Sequence, residues 1–355
     1  MTPAAIEALR AAVQANSDIA DARHAGDLPL CQFLLQMREL YRWQQGLDFA
    51  TVPARDALGP WLAEREAAWA EIEQLPFGPL PLGDAAVDAF DLDVINERLN
   101  PQGWVYGAGW VDVGRPGFFL ARLLQFEPGS PAVRHCGREV ARGLFAPPAA
   151  LQGGRTIVLR RDALARWLWM LWEGFALQRP AGAFATLMRA HAVHDSASFI
   201  AVLPRLVDLA VGVLLWHERG EAQAATWLEP GWAALRSATV DRRTTLQLRA
   251  VRDLIADCSL TLPALLDHGP PAAMHFWFAT FEGMRALLHP ALGEAYAAWQ
   301  SGDGGAALRA ACEVGKTRFG ALALELLAME ESAAVGPRIE SAARPAASRQ
   351  APRGE

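Results

Sequence analysis

The stretch Gly103–Glu127, GWVYGAGWVDVGRPGFFLARLLQFE, decides the fold class, because the spacing of apolar residues changes here. Aromatic and β-branched residues on either side of a Gly-Arg-Pro-Gly turn are typical of paired β-strands. We therefore predict a β-hairpin with strands at 103–113 and 118–127 and a turn at 114–117. A small sheet is expected in the middle of a chain that is otherwise helical.

The two segments after the hairpin each resemble a short strand that passes into a helix. They are VRHCGREVARGLF, at 133–145, and RTIVLRRDALARWLWMLWEGF, at 155–175. Asp162 is placed to cap the start of the second of these helices. An α+β portion is thus predicted from Leu92 to Leu159, followed by a long helix.

Helical patterns cover most of the remaining chain. Residues 3–15, 30–46 and 53–73 are predicted helices, and residues 181–331 are predicted to be helical with short Gly- and Pro-containing links. The Ala-, Pro-, Arg- and Ser-rich tail is predicted to be disordered. The prediction is a mainly α protein: an N-terminal α+β domain (1–178) of helices and a small sheet, a C-terminal helical bundle (179–331) and a disordered tail (332–355).

Composition indicates a globular protein that does not bind nucleic acid. The 355 residues are 52% hydrophobic and 20% charged, which is enough apolar surface for a large core. The net charge of −6 argues against binding to a phosphate backbone, which requires clustered Lys and Arg. Four widely spaced cysteines without a Cys-x-x-Cys pair are expected to be buried free thiols.

A cytoplasmic location without membrane insertion is expected. The N-terminus MTPAAIEALRAAVQ lacks the apolar core of a signal peptide. The apolar run Phe199–Trp216 barely reaches spanning length and contains Pro204, Arg205 and Asp208. Each charge at a bilayer centre costs roughly 2.5–3.5 kcal/mol, so a buried helix of a soluble protein fits this run better.

Histidine and carboxylate side chains on predicted helices form a candidate metal site. His191 and His194 are three residues apart on one predicted helix, and the segment WHERGEA places His217 one turn from Glu221, with Glu218 beside them. Glu39 is a further candidate carboxylate ligand. Inward-facing carboxylates and imidazoles of helical bundles bind first-row metals such as iron, manganese or zinc. The alternative is structural: surface hydrogen bonds for His191 and His194, and a favourable helix-dipole position for His217.

Charged residues in the segment Ser17–Trp43, SDIADARHAGDLPLCQFLLQMRELYRW, form a candidate polar pocket. Apolar residues cover nearly every direction of the predicted helix, so its charged residues must find partners. Asp18, Asp21 and Asp27 are the nearest acidic partners for the two arginines of the helix. The candidate pocket residues are Arg23, His24, Arg38, Glu39 and Arg42, either as a structural salt-bridge network or as part of a binding site.

The same segment resembles the N-terminal signature of a family of uncharacterised bacterial proteins. The similarity rests on DARHAGD at 21–27 and MRELYRW at 37–43, and it extends through YGAGW, FFLARLL and the HERGE helix. The family is a domain of unknown function. The resemblance therefore implies a shared architecture and no particular activity.

Three functional hypotheses follow from these patterns. The leading one is a metal-dependent helical enzyme, of the oxygen-activating non-haem di-iron type, acting on a small-molecule substrate. The alternative is a non-catalytic interaction protein or scaffold, whose buried charges set helix register and whose surface meets a protein partner. A third is an enzyme that binds an anion through Arg23, Arg38 and Arg42. A metal centre requires at least three ligands within a few ångströms, and this requirement separates the first hypothesis from the others.

Overall fold

The computed structural model describes residues 1–112, 115–152, 154–329 and 331–343. It is 66% helical and 13% strand, which confirms the predicted mainly α fold with a small sheet. The chain divides into two compact units. The first comprises Met1–Gln178 and Val193–Val207, and the second comprises Arg179–Ala192 and Asp208–Glu355.

The first unit contains five helices and seven strands among its described residues, besides the first part of a helix that belongs to both units. The helices are α1 (Pro3–His24), α2 (Leu30–Gln44), α3 (Arg55–Ile72), α4 (Leu92–Leu99) and α5 (Arg161–Gln178). The strands are β1 (Leu80–Leu82), β2 (Ala85–Val87), β3 (Trp104–Asp112), β4 (Arg115–Glu127), β5 (Ala132–Arg142), β6 (Ala149–Gln152) and β7 (Thr156–Arg160).

The predicted hairpin is confirmed, because β3 and β4 pair antiparallel, with Val105 opposite Ala121. The predicted turn at 114–117 is too long, because β4 already begins at Arg115; residues 113 and 114 lie outside the described residues. These strands open a curled five-stranded sheet in the order β3-β4-β5-β7-β6, in which β5 and β7 are parallel. The strand β7 passes into α5 as expected. The segment 133–145 contains no helix, however, because β5 continues to Arg142 and the chain then enters β6, which pairs with β7.

The helix α1 packs against the sheet and is longer than predicted. Its residues Leu9 and Val13 are buried against Tyr106 and Phe118 in one apolar cluster. Beyond the predicted end at residue 15, the polar residues Asn16, Ser17 and Asp21 of α1 form hydrogen bonds with backbone groups far along the chain. Asn16, for example, exchanges hydrogen bonds of 2.8 and 2.7 Å with the backbone of Gly78. Polar side chains inside α1 therefore fasten the helix to its neighbours.

The second unit is helical throughout its described residues. Its helices are α6 (Ala183–Ala190), α8 (Gly231–Ala238), α9 (Arg242–Ala256), α10 (Leu262–His268), α11 (Pro271–Ala279), α12 (Gly283–Leu288), α13 (Ala291–Gln300), α14 (Ala306–Leu327) and α15 (Val335–Ala343), together with Asp208–Leu228 of α7 (Ser196–Leu228). A π-helical segment, Asp257–Thr261, separates α9 from α10. Three cysteines are buried as expected, but Cys31 is exposed.

The helix α7 is the one helix of the described residues that is long and apolar enough to cross a membrane. The most apolar 18-residue segment of this helix has a mean hydropathy of 2.0, and 39% of it is buried within the protein. Core helices of soluble proteins meet the same criterion. Length and composition alone therefore carry little weight for a membrane assignment.

The predicted disordered tail is wrong for residues 332–343. Val335 and Ile339, one turn apart on α15, are fully buried. Gln247 of α9 donates a 3.3 Å hydrogen bond to Glu340, and Arg318 of α14 donates one to the carbonyl oxygen of Ala342. Two apolar residues one turn apart, together with polar anchors on neighbouring helices, are enough to dock this short helix. The rest of the tail, residues 344–355, lies outside the described residues.

Candidate metal centre

Two helices of the second unit, α7 and α9, approach each other closely. Acidic residues that are far from His217 in the sequence therefore lie beside it in the structure. At Gly220 of α7, an added Cβ would lie 2.8 Å from the carbonyl oxygen of Ala256 of α9. A glycine is therefore required for this approach. It lies between His217 and Glu221 on α7, and Asp253 lies about one turn before Ala256 on α9.

His217 is held by a buried carboxylate. Its Nδ1 donates a 2.8 Å hydrogen bond to Oδ1 of Asp257, the first residue of the π-helical segment. This bond orients the imidazole ring and directs Nε2 towards Glu221, whose Oε1 lies 3.7 Å away. A histidine that binds a metal usually donates its other ring N–H to a carboxylate in this way.

Asp257 is itself fixed by two further donors. Its side chain is fully buried, Trp277 Nε1 donates to Oδ1 at 3.1 Å, and Arg285 Nη1 donates to Oδ2 at 3.0 Å. Burial opposes ionisation, but the imidazole, the guanidinium group and the indole N–H overcome it and lower the pKa of Asp257 to about 2. Asp257 is therefore ionised at neutral pH and accepts the hydrogen bond from His217 as a carboxylate.

His217, Glu221 and Asp253 form the one group of three or more candidate metal ligands within the described ranges. One donor atom from each lies within 4.8 Å of the others. Three donors arranged tetrahedrally at about 2.1 Å from one ion lie about 3.4 Å apart. A spacing of up to 4.8 Å would therefore shorten by up to about 1.4 Å when an ion binds. The second oxygen of Glu221 accepts a 2.5 Å hydrogen bond from Arg252, which orients the carboxylate.

Glu218 adds a fourth carboxyl group, which is buried beside these ligands. It is 6% exposed, and its Oε2 has no hydrogen-bond partner among the described residues. Burial, and then the neighbouring charge of Glu221, raise the pKa of Glu218 to about 7. The same two causes raise the pKa of Asp253 to about 6. The carboxyl groups therefore repel one another, and a bound cation would relieve that repulsion.

In the absence of a cation, a proton on His217 compensates part of this negative charge. Burial lowers the pKa of the imidazole, but Asp257, Glu221 and Asp253 outweigh burial and raise it to about 10. A metal ion would take the place of this proton on Nε2, because ligand nitrogens must be deprotonated. The cluster thus offers a divalent ion one nitrogen and at least two oxygens, a donor set suited to manganese, iron or zinc.

The sequence predicted that His191 and His194 lie on one helix, and this prediction is wrong. His191 is the last residue before a break after α6, Ala192 adopts a left-handed conformation with φ 54°, and His194 precedes α7. Asp195 accepts the backbone N–H of Ser198 at 2.8 Å and so begins a new helix. The segment HDSAS contains this capping signal, which the sequence analysis overlooked. Neither histidine belongs to the ligand group described above.

The polar pocket predicted in the first unit is partly assembled. Glu39 Oε1 lies 2.6 Å from Arg42 Nη1 and accepts a 3.2 Å hydrogen bond from Arg38 Nε. Their further partner is Glu173 of α5, which pairs with Arg38 and lies 3.6 Å from Arg42 Nη2. With Glu39 and Arg42 almost fully buried, this is a compact network of paired charges.

The other two predicted pocket residues bind elsewhere. Arg23 donates to the carbonyl oxygens of Glu73 and Leu75, and His24 Nδ1 lies 3.3 Å from Asp27 Oδ2. The nearby aspartates expected to pair with Arg38 and Arg42 have different partners: Arg65 for Asp18, the backbone N–H of Leu144 for Asp21, and His24 and Arg115 for Asp27. Glu173, far along the chain, takes their place.

Comparison with known proteins places the chain in a family without an assigned activity. The model of the N-terminal domain of a family of unknown function (DUF6866) matches residues 8–160, and the model of its C-terminal domain matches residues 165–348. No curated protein and no solved structure matches the chain.

Proposed function

The chain belongs to the DUF6866 family of unknown function, and from its side-chain geometry we propose that it is a metal-dependent enzyme. The proposed ligands of a single divalent first-row ion are His217, Glu221 and Asp253. The observation that carries the proposal is the bond from His217 Nδ1 to the anionic Asp257, because it turns Nε2 towards the two carboxylates.

A single ion suits this site better than the di-iron centre expected from sequence. A second iron would need its own ligands, and the described residues contain one group of three or more candidate donors. The bound ion would act as a Lewis acid or activate a water molecule. The one-histidine, two-carboxylate set differs from the two-histidine, one-carboxylate triad of single-iron oxygenases, so the reaction class that we propose is hydrolysis by a metal-activated water.

Glu218 is proposed as the general base. Its carboxyl group is buried beside the proposed ligands, and its Oε2 has no hydrogen-bond partner among the described residues, so this oxygen is free to accept a proton from a metal-bound water. His217 and Glu221 expose 18% and 15% of their side chains, so water reaches the ligands. We also propose a cytoplasmic location without binding to nucleic acid or insertion into a membrane. The net charge of −6 disfavours nucleic-acid binding, and Arg205 and Asp208 within the apolar part of α7 disfavour membrane insertion.

The test is the metal content of the purified protein, measured by plasma mass spectrometry after expression with added iron, manganese or zinc. We expect close to one ion per chain in the wild type and a loss of most of it in the folded double variant His217→Ala, Glu221→Ala. His194→Ala is the matched control and should keep its metal. A folded wild type without metal would contradict the proposal and would favour the alternative of a non-catalytic interaction protein.

A further inference from the structure

A second polar cluster lies in the first unit and involves residues the metal proposal does not use. It consists of Glu139 and Arg142 on β5, Arg160 on β7, and Asp162 and Arg166 on α5. The three arginines are 2%, 4% and 9% exposed, in chain order. Buried arginines are costly unless each is paired with a carboxylate.

Two of the three arginines have such a partner. Arg160 Nε donates a 2.7 Å hydrogen bond to Glu139 Oε1, and Arg166 pairs with Asp162. Among the described residues Arg142 has no carboxylate at ion-pair distance. The cluster therefore contains three guanidinium groups but only two carboxylates.

Arg142, which has no carboxylate partner within the described residues, lies near the same aromatic ring as Arg166. The guanidinium carbon of Arg142 is 5.4 Å from the centre of the Trp43 ring, and that of Arg166 is 5.9 Å from it. Both guanidinium groups thus lie within cation–π distance of the same indole ring.

Several hydrogen-bonding atoms of this cluster are buried and unused. They are the donors Arg142 Nε, Arg160 Nη2 and Arg166 Nε, and the acceptor Glu139 Oε2. Buried polar atoms are nearly always satisfied, and each one left without a partner costs stability. Three unused donors and one unused acceptor fit a ligand that offers several acceptor oxygens and one hydroxyl hydrogen.

We propose that this cluster binds a small oxyanion that keeps a hydroxyl hydrogen, of which inorganic phosphate is the simplest example. The guanidinium groups of Arg142 and Arg166 would hold the negative oxygens, since arginine suits such oxygens well. Glu139 would accept the hydroxyl hydrogen and so discriminate against sulfate, which carries none at neutral pH. Asp162, whose side chain is 27% exposed, marks the side at which the cluster meets solvent.

Electrostatics within the cluster agrees with an anionic ligand. Burial, and then the charges of Arg166 and Arg160, lower the pKa of Arg142 to about 9 despite the nearby carboxylates. The same arginines hold the pKa of Glu139 below its ordinary value although burial opposes this. Positive charge is thus in excess around Arg142, and an added anion would relieve it.

The test uses the full-length protein, freed of metal with a chelator so that phosphate cannot bind through an ion. Equilibrium dialysis against labelled phosphate should give about one bound phosphate per chain, with sulfate competing at least tenfold more weakly. Absence of phosphate binding by the folded wild type would overturn the proposal. Equal competition by sulfate would remove the role assigned to Glu139.

Variants then locate the site by thermal unfolding in phosphate, compared with sodium chloride of equal ionic strength. Phosphate should raise the midpoint of the wild type and of the control Arg155→Met, whose side chain is 77% exposed. The increase should vanish in Arg142→Met, while the midpoint of this variant without phosphate should exceed that of the wild type. Arg142→Lys should retain part of the increase. A full phosphate effect in Arg142→Met would place binding elsewhere.

Discussion

Asp253 and Asp257 lie one turn apart in the second unit, yet Asp257→Asn should destabilise the protein, whereas Asp253→Asn should not. Asp257 receives hydrogen bonds from His217, Trp277 and Arg285. An asparagine substitutes a donor for one of the two acceptor oxygens, so at least one of these three donors loses its partner. Asp253 differs from Asp257, because burial and the charge of Glu221 raise its pKa and so disfavour its ionised form. A neutral asparagine at this position removes that unfavourable charge.

The expected magnitudes follow from the two pKa values. The change from 3.8 to about 2 for Asp257 corresponds to roughly 2.5 kcal/mol of stabilisation, at about 1.4 kcal/mol per pH unit. This stabilisation is present above pH 3.8 and is lost as the pH falls towards 2. The rise from 3.8 to about 6 for Asp253 costs stability at neutral pH, on the order of 1–3 kcal/mol given its partial exposure.

Urea unfolding of the metal-free protein at pH 7 measures both effects. Asp257→Asn should lose about 2–4 kcal/mol, whereas Asp253→Asn should be as stable as the wild type or more stable. Titration with Mn²⁺ then separates their roles. Asp253→Asn should lose metal binding as a ligand variant, and Asp257→Asn should bind about 10–100-fold more weakly through a misoriented His217. Equal destabilisation by the two substitutions would refute this division of roles.

Three further substitutions test other parts of the structure. Gly220→Ala should destabilise the protein by about 1–3 kcal/mol in urea unfolding and weaken Mn²⁺ binding, because the added Cβ would collide with Ala256. Gly212→Ala on the same helix has open space around it and should not destabilise the protein. Equal behaviour of the two variants would contradict the close approach of α7 and α9. Burial raises the pKa of Asp21 to about 8, so stability should fall as the pH rises from 3.8 to 8, by several kcal/mol, and Asp21→Asn should flatten that fall in unfolding measured across this range. Ile339→Ala should destabilise the protein by about 2–4 kcal/mol, whereas a disordered tail would give no change.

Local patterns in the sequence were sufficient to predict the elements that depend on local spacing. The aromatic and β-branched runs around Arg115 predicted the hairpin, and His217 and Glu221 were recognised as neighbours because one helical turn separates them. The break between His191 and His194 was also encoded locally, in the cap formed by Asp195, but the apolar run that follows obscured it.

Features that depend on distant contacts could not be predicted from the sequence. Asp253 was not among the ligands predicted from the sequence, because its position beside His217 arises only where α9 meets α7 near Gly220. Glu173 is similarly far along the chain from Arg38. The short strand β6 and the helix α15 have too few apolar residues for a pattern, and pairing or docking to distant elements forms them.

The central claim is that His217, Glu221 and Asp253 hold one metal ion, and anomalous X-ray diffraction from crystals grown with Mn²⁺ tests it most directly. The account predicts one strong peak in the second unit, about 2.0–2.2 Å from His217 Nε2 and from a carboxylate oxygen of Glu221 and of Asp253. His217 Nδ1 should stay hydrogen-bonded to Asp257. A map without a peak at His217, or with manganese bound only to other residues, would contradict the account.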